Sequence, residues 1–218
     1  MRRLNANRSA ACLPSLTVSL RSLAPLAVVL LAGCDSGDPE ADRLPLVPLA
    51  VGNTWTYRAI EFDRYGVPID TVERDRSSEV VADTVVAGWT WYREAVVDEG
   101  TGDRGGEWWA VREDGLWSDP GDLDGAGYLR LPYPAPPGAT GAGRFGEAWT
   151  LASTDTTVTV PAGTFRCHHY RYRSVYMVYD DDVFYAPGIG RVLSVRHDYF
   201  GGVYERVREE LTSYGLAD

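Results

Sequence analysis

Runs of alternating residues dominate this chain, and a period of two makes the β-strand its building element. From Thr54 to Phe62, Trp55, Tyr57 and Ala59 share one face while Thr54, Thr56 and Arg58 share the other, as in a half-buried strand. The habit recurs in Arg76 to Val86, in Trp89 to Val97 and in Glu107 to Arg112, with shorter pieces at Gly115 to Trp117 and Tyr128 to Leu131. Beyond a Pro/Gly/Ala-rich segment, Leu131 to Gly146, it sharpens. Phe145 to Leu151, Thr156 to Val160, Phe165 to Tyr179, Val183 to Tyr185, Arg191 to Tyr199 and Val203 to Tyr214 read as an antiparallel meander. The last run also repeats Val203, Val207 and Leu211 every four residues, which suits a helix, but Tyr204, Thr212 and Tyr214 favour a strand. Gly52-Asn53, Pro161-Ala162-Gly163 and Asp180-Asp181-Asp182 read as turns. A mainly β chain with little helix is expected.

The N-terminus is of another kind. Arg2, Arg3, Arg8 and Arg21 precede an apolar run from Leu23 to Leu31, with no acid before Gly33. The run is well short of the roughly 20 residues a membrane-spanning helix needs, so 1–33 has the layout of a signal peptide. Its end, Leu31-Ala32-Gly33-Cys34, resembles the lipobox of bacterial lipoproteins. That resemblance implies a lipid on Cys34 and a place in the cell envelope, outside the cytoplasm, at the inner or the outer membrane. Asp35 to Asp42 is too polar to order itself. Residues 34–46 therefore read as a lipidated tether, reaching about 40 Å at roughly 3.3 Å per residue, and 47–218 as one β domain.

Charge narrows the partners. The chain carries a net −10, and loss of 1–33 removes four Arg and no acid, leaving −10 − 4 = −14. Nucleic acid and bare anionic lipid are excluded by repulsion. Of three cysteines, Cys12 leaves with the signal and Cys34 takes the lipid, so Cys167 stands alone and no internal disulfide is available. Cys167 reads as a small buried apolar residue, with a nucleophile as the other reading.

Three short clusters carry a further likeness: Val51-Gly52-Asn53-Thr54-Trp55, Thr159 to Phe165 (Thr-Val-Pro-Ala-Gly-Thr-Phe) and Tyr185 to Val192 (Tyr-Ala-Pro-Gly-Ile-Gly-Arg-Val). In this order they resemble a family of bacterial lipoproteins of uncharacterised function whose domain is similar to the lipoprotein carrier LolA. The resemblance implies a single strongly curved antiparallel sheet, a half-barrel, whose concave side holds apolar material. Read from the residues alone, the Pro and Gly of these clusters make tight corners between strands.

Candidate chemistry is sparse. His168, His169 and His197 are the only histidines; neighbours on a strand face opposite ways, so a metal centre gets His197, one of the pair and a carboxylate such as Asp198 at most. Asp180-Asp181-Asp182 lacks the spaced oxygens of a calcium loop. No nucleophile elbow or phosphate loop is present. Tyr170, Tyr172 and Tyr176 alternate on one face, either as a recognition surface or as a ladder that stabilises the sheet. The 131–146 segment is a lid or a passive crossover. The expected function is therefore non-catalytic: a membrane-anchored domain that binds an apolar ligand or an envelope protein, with no cofactor and no metal. A structural or assembly lipoprotein with a self-filled core is the alternative, and a metal-dependent hydrolase a third.

Overall fold

The computed structural model describes residues 44–63, 65–69, 74–99, 102, 104–119, 121, 123, 127–143, 147–174, 179–200 and 203–217, with backbone alone at 74, 174, 179, 198–200 and 203–206. The signal segment, Cys34, the tether up to residue 43 and Tyr176 lie outside the described residues.

Twelve strands follow one another: β1 (Thr54–Phe62), β2 (Arg74–Val86), β3 (Trp89–Asp98), β4 (Arg104–Arg112), β5 (Gly115–Asp119), β6 (Tyr128–Pro132), β7 (Thr140–Ala142), β8 (Glu147–Val160), β9 (Gly163–Ser174), β10 (Tyr179–Ala186), β11 (Gly190–Phe200) and β12 (Val203–Gly215). No helix occurs among the described residues. All twelve form one antiparallel sheet in the order β6-β5-β4-β3-β2-β1-β12-β11-β10-β9-β8-β7. Sequence neighbours pair throughout except β6 and β7, and β1 pairs in addition with β12, from Thr54↔Gly215 to Phe62↔Arg206. Two six-stranded meanders thus meet where the domain begins and ends, and β6 and β7 are left as edges.

The sheet rolls until its two wings touch without closing. From β9, the Tyr170 hydroxyl donates to the Pro132 carbonyl at 2.8 Å and that of Tyr172 to the Arg130 carbonyl at 3.4 Å, both across on β6. Residues 133–139 carry the chain from one edge to the other, with Gly138 N donating to Leu151 O at 2.7 Å and Leu151 N to Ala139 O at 2.9 Å. Tyr133, Ala135 and Ala139 pack on the core. The Pro/Gly-rich segment is a laced crossover that supplies apolar side chains to the interior.

Two apolar clusters fill the concavity. One gathers Trp55, Tyr57, Val80, Val158, Cys167, Val192 and Leu211; the other gathers Leu46, Leu116, Leu131, Trp149, Leu151, Tyr170 and Tyr172. Cys167 and Tyr170 are three residues apart, a spacing that puts them on opposite faces of a regular strand, yet both are buried. Register shifts in the β8–β9 pairing between Leu151 and Thr156 accompany the change of facing.

A segment ahead of β1 ties the clusters together. Leu46 is buried, and Val47 and Leu49 pack against both clusters. Gly188 N donates to Pro45 O at 2.8 Å and the Asn53 side-chain amide to Pro48 O at 2.8 Å, fixing residues 44–50 as a strap across one mouth of the rolled sheet. The three clusters singled out in the sequence converge here: Trp55 Nε1 donates to Ile189 O at 2.6 Å and Ala162 N to Leu211 O at 3.0 Å. Gly188 holds φ +76° in the corner that receives the strap, a conformation that favours glycine. Packed residues therefore start at Leu46, inside the stretch read as tether.

One turn was misread. Asp180, Asp181 and Asp182 lie within β10, because each faces a cation on a neighbouring strand: Arg173 lies 3.9 Å from Asp180, Arg196 3.1 Å from Asp181, and His169 and Arg171 lie 2.6 and 3.3 Å from Asp182. The hydrogen bond from His169, with Arg171 beside it, holds the Asp182 carboxyl below its usual range against the effect of burial.

Candidate functional site

Beneath the strap the concavity retains a cavity of about 220 Å³. At roughly 30 Å³ per water this is the room of about seven waters. Its apolar side is made by Val47 and Leu49 of the strap with Val80 and Leu116, its aromatic side by Trp55, Tyr57, Trp109 and Tyr185, and its charged side by Glu94, Glu107, Arg130 and Arg191. A groove of about 420 Å³ lies next to it and shares Glu94 and Glu107.

The strands explain this charged side. Glu94 on β3 and Glu107 on β4 sit directly opposite each other in the register, an arrangement of like charges that costs stability unless something offsets it. Gly106 keeps β4 in place: at φ +153°, a Cβ there would overlap the Glu94 carbonyl oxygen. Glu94 accepts a hydrogen bond from Trp109 Nε1 at 2.8 Å. Glu107 makes no hydrogen bond or ion pair among the described residues.

The arginines, by contrast, are already engaged. Arg191 meets Glu209 at 2.9 Å and Arg130 meets Glu147 at 3.3 Å. Arg191 also lies over the Tyr57 ring, 4.4 Å from its centroid, and Arg130 over Tyr172 at 5.2 Å. Burial works against both charges, but the partner carboxylates and surrounding phenols outweigh it, so both stay cationic. Burial likewise raises the Tyr57 and Tyr185 phenols, which keeps them protonated; the Tyr57 hydroxyl donates to Arg191 O at 3.1 Å. In the cavity wall the arginines thus have counter-ions and Glu107 has none among the described residues, while Arg76 and Arg104 line the neighbouring groove beside the same two glutamates.

Sequence reasoning placed its candidates elsewhere. Tyr170 and Tyr172 are buried in the second cluster with hydroxyls spent on β6 carbonyls. His168 is buried with its ring edge-on to Tyr133 at 5.2 Å, while His169 stacks on Phe184 at 4.3 Å and binds Asp182, so the two point to opposite faces. His197 faces Asp180 in the β10–β11 register, and no histidine lines the cavity. Among the described residues no group of three or more His, Cys, Asp or Glu converges. Glu94, Glu107, Arg130 and Arg191 were missed. A usable signal existed: Glu94 shares strand parity with Tyr92, and Glu107 with Trp109, putting charge on faces that carry core aromatics.

Cys167 is fully buried, and burial pushes its thiol up to about 12. In the folded protein it is expected to resist iodoacetamide at pH 8 and to react only in denaturant; labelling read by peptide mass checks this.

No protein-family model matches the chain, and no curated protein matches its sequence. Among solved structures it is similar to a candidate lipoprotein from Parabacteroides distasonis, at 14% identity over 79% of this chain and 99% of that one with a TM-score of 0.46. It is also similar to a candidate exported protein with a YmcC-like fold from Bacteroides fragilis, at 14% identity over 79% of this chain and all of that one, with a TM-score of 0.48. At these values no family is assigned, and the functional reading rests on this chain's own geometry.

Proposed function

We propose that this chain is a lipid-anchored, non-catalytic protein of the cell envelope whose rolled sheet binds a small amphipathic molecule with a cationic end. Sequence supports the anchor through Leu31-Ala32-Gly33-Cys34 and the polar stretch behind it. The observation that carries the binding role is the cavity under the strap, where the uncommitted carboxylate of Glu107 stands opposite Glu94 while both arginines are held by other acids. An ammonium or guanidinium group placed between the two glutamates relieves their repulsion and gains charge-assisted hydrogen bonds. Its apolar body rests against Val47, Leu49 and Leu116. The volume suits a molecule of about seven to ten non-hydrogen atoms, far less than an acyl chain, because Leu46, Val47 and Leu49 already occupy the apolar part of the concavity.

Calorimetric titration of the intact chain with tyramine and agmatine, with octanoate as anionic control, tests this. The cations are expected to bind, and Glu107→Gln to weaken them by about tenfold or more, the loss of one charge-assisted bond. Binding of octanoate with both cations silent contradicts the reading. A second reading, a structural or assembly protein with a self-filled core, draws on the same strap; it gains if no probe of any class binds.

A further inference from the structure

We infer that the strap end of the rolled sheet is a membrane-docking surface, seating the domain on the zwitterionic lipid surface that anchors it. The inference rests on the lipid-anchor reading above. It starts from where exposed apolar side chains fall. Of the eleven large hydrophobic residues exposed among those described, three (Tyr65, Val67 and Ile69) belong to the β1–β2 connection at the far end. The other eight gather on or near the strap end, which the antiparallel order also gives the β2–β3, β4–β5, β8–β9 and β10–β11 turns.

Their neighbours tie them into one rim. Trp89 and Val111 line a shallow groove with Pro45 and Leu49 of the strap, and Val85 is across the turn from Trp89, paired with Thr90. Val51 begins the turn in which Gly52 N donates to Val80 O, and Ala217, next to Leu216, donates its N–H to the Asn53 side chain at 2.7 Å. Leu44 lies against Gly188, in the β10–β11 corner that also holds Pro45. Exposures of 69% for Val85, 46% for Val111 and 38% for Trp89 leave these side chains available. Exposed apolar side chains gathered at one end mark an interaction site, and tryptophan suits the boundary between water and lipid.

The occupant is set by the tether. Leu44, the first described residue, stands on this rim, and only nine residues lie between it and Cys34. Ten Cα-to-Cα steps span at most about 33–36 Å even when fully extended. The opposite end of the sheet, a strand length of roughly 40 Å further on, is held away. A lipid on Cys34 therefore keeps the apolar rim at high effective concentration over the bilayer, so weak insertion of a few side chains is enough. Arg112, over the Trp89 ring, is outnumbered by Glu113 and Asp114 in the adjoining β4–β5 turn, which favours zwitterionic over anionic lipid.

The test uses the full chain purified from membranes and reconstituted in dioleoylphosphatidylcholine vesicles carrying brominated phosphatidylcholine, with the mass of the Cys34 peptide measured in parallel. Bromine is expected to quench part of the tryptophan emission, and Trp89→Phe to remove most of the quenched part. Val85→Ser with Val111→Ser, both exposed and compatible with the fold, is expected to reduce it, while Tyr65→Ser at the far end leaves it unchanged. A lipidated chain with no quenching at Trp89 overturns the docking surface and leaves the anchor standing. If Cys34 carries no lipid, the anchor reading falls, and docking is judged by adding the same vesicles to the chain: quenching at Trp89 retains it and absence of quenching overturns it.

Discussion

Replacing Glu209 by Gln is expected to lower the stability of the domain by about 2–4 kcal/mol at neutral pH. Its two oxygens serve different arginines, Oε1 meeting Arg76 at 2.7 Å and Oε2 meeting Arg191 at 2.9 Å. The substitution keeps shape and removes charge, so Arg191 is left in the concavity without its counter-ion. Breaking a fully buried pair costs about 3–5 kcal/mol; the figure is set lower because the Arg191 side chain keeps 27% exposure towards the cavity. The pH dependence follows from the same contacts. Burial alone raises the Glu209 pKa, but Arg191 and Arg76 outweigh it and hold the group below its ordinary 4.5. A group lowered on folding contributes in full above its unfolded value, and the contribution is lost as pH falls through the folded value. The gap between wild type and Glu209→Gln is therefore expected to be full above about pH 5 and to shrink steadily as pH falls below it towards the lowered folded value. Urea unfolding of both proteins across that range measures it.

Leu46→Ala is expected to cost about 2–5 kcal/mol, the range for truncating a buried leucine, while Leu44→Ala stays within about 0.5 kcal/mol. The two leucines are two residues apart in a stretch that looks uniform in sequence, yet Leu46 is 3% exposed and Leu44 is 44% exposed. Leu46 belongs to the cluster with Trp149, Leu151 and Tyr170 on the β6-to-β9 side of the concavity, and its neighbours Val47 and Leu49 bridge to the other cluster. Loss of its side chain opens a cavity in a place the sheet cannot collapse to fill, since the Pro45 and Pro48 carbonyls remain pinned by Gly188 and Asn53. Thermal unfolding of the two variants side by side separates a packed strap from a passive leader.

The strands were legible because alternation is a property of single runs of residues, and the corners because Pro161, Gly163, Pro187 and Gly188 state their conformational needs locally. What escaped depends on partners distant in sequence. Asp180 to Asp182 has the composition of a turn, and only the arginines and the histidine on β9 and β11 make it a strand. Leu46 looked like tether because a strap has no period; its burial is created by a cavity that twelve strands build together. Glu94 and Glu107 were passed over for a related reason. On β3 the apolar parity holds Trp89 and Trp91, and these lie on the face away from the cavity with Arg112 stacked against them, 4.9 and 5.3 Å from the ring centroids. The Tyr92 and Glu94 parity turns inward instead. Stacking by an arginine and cover from the chain at Gly127 let tryptophans stay on the outer face, which hydrophobicity alone does not foretell.

On the proposed reading, a self-filled concavity with a small cation-accepting remainder separates this domain from a carrier of long acyl chains, and methyl NMR of the isotope-labelled protein with added palmitate addresses that difference most directly. The Leu46, Val47 and Leu49 methyls are expected to show packed, ring-shifted signals without any ligand and to keep them when palmitate is added. Movement of those methyls to random-coil positions as palmitate binds would contradict it, because the strap would then be a displaceable plug in a lipid-carrying groove.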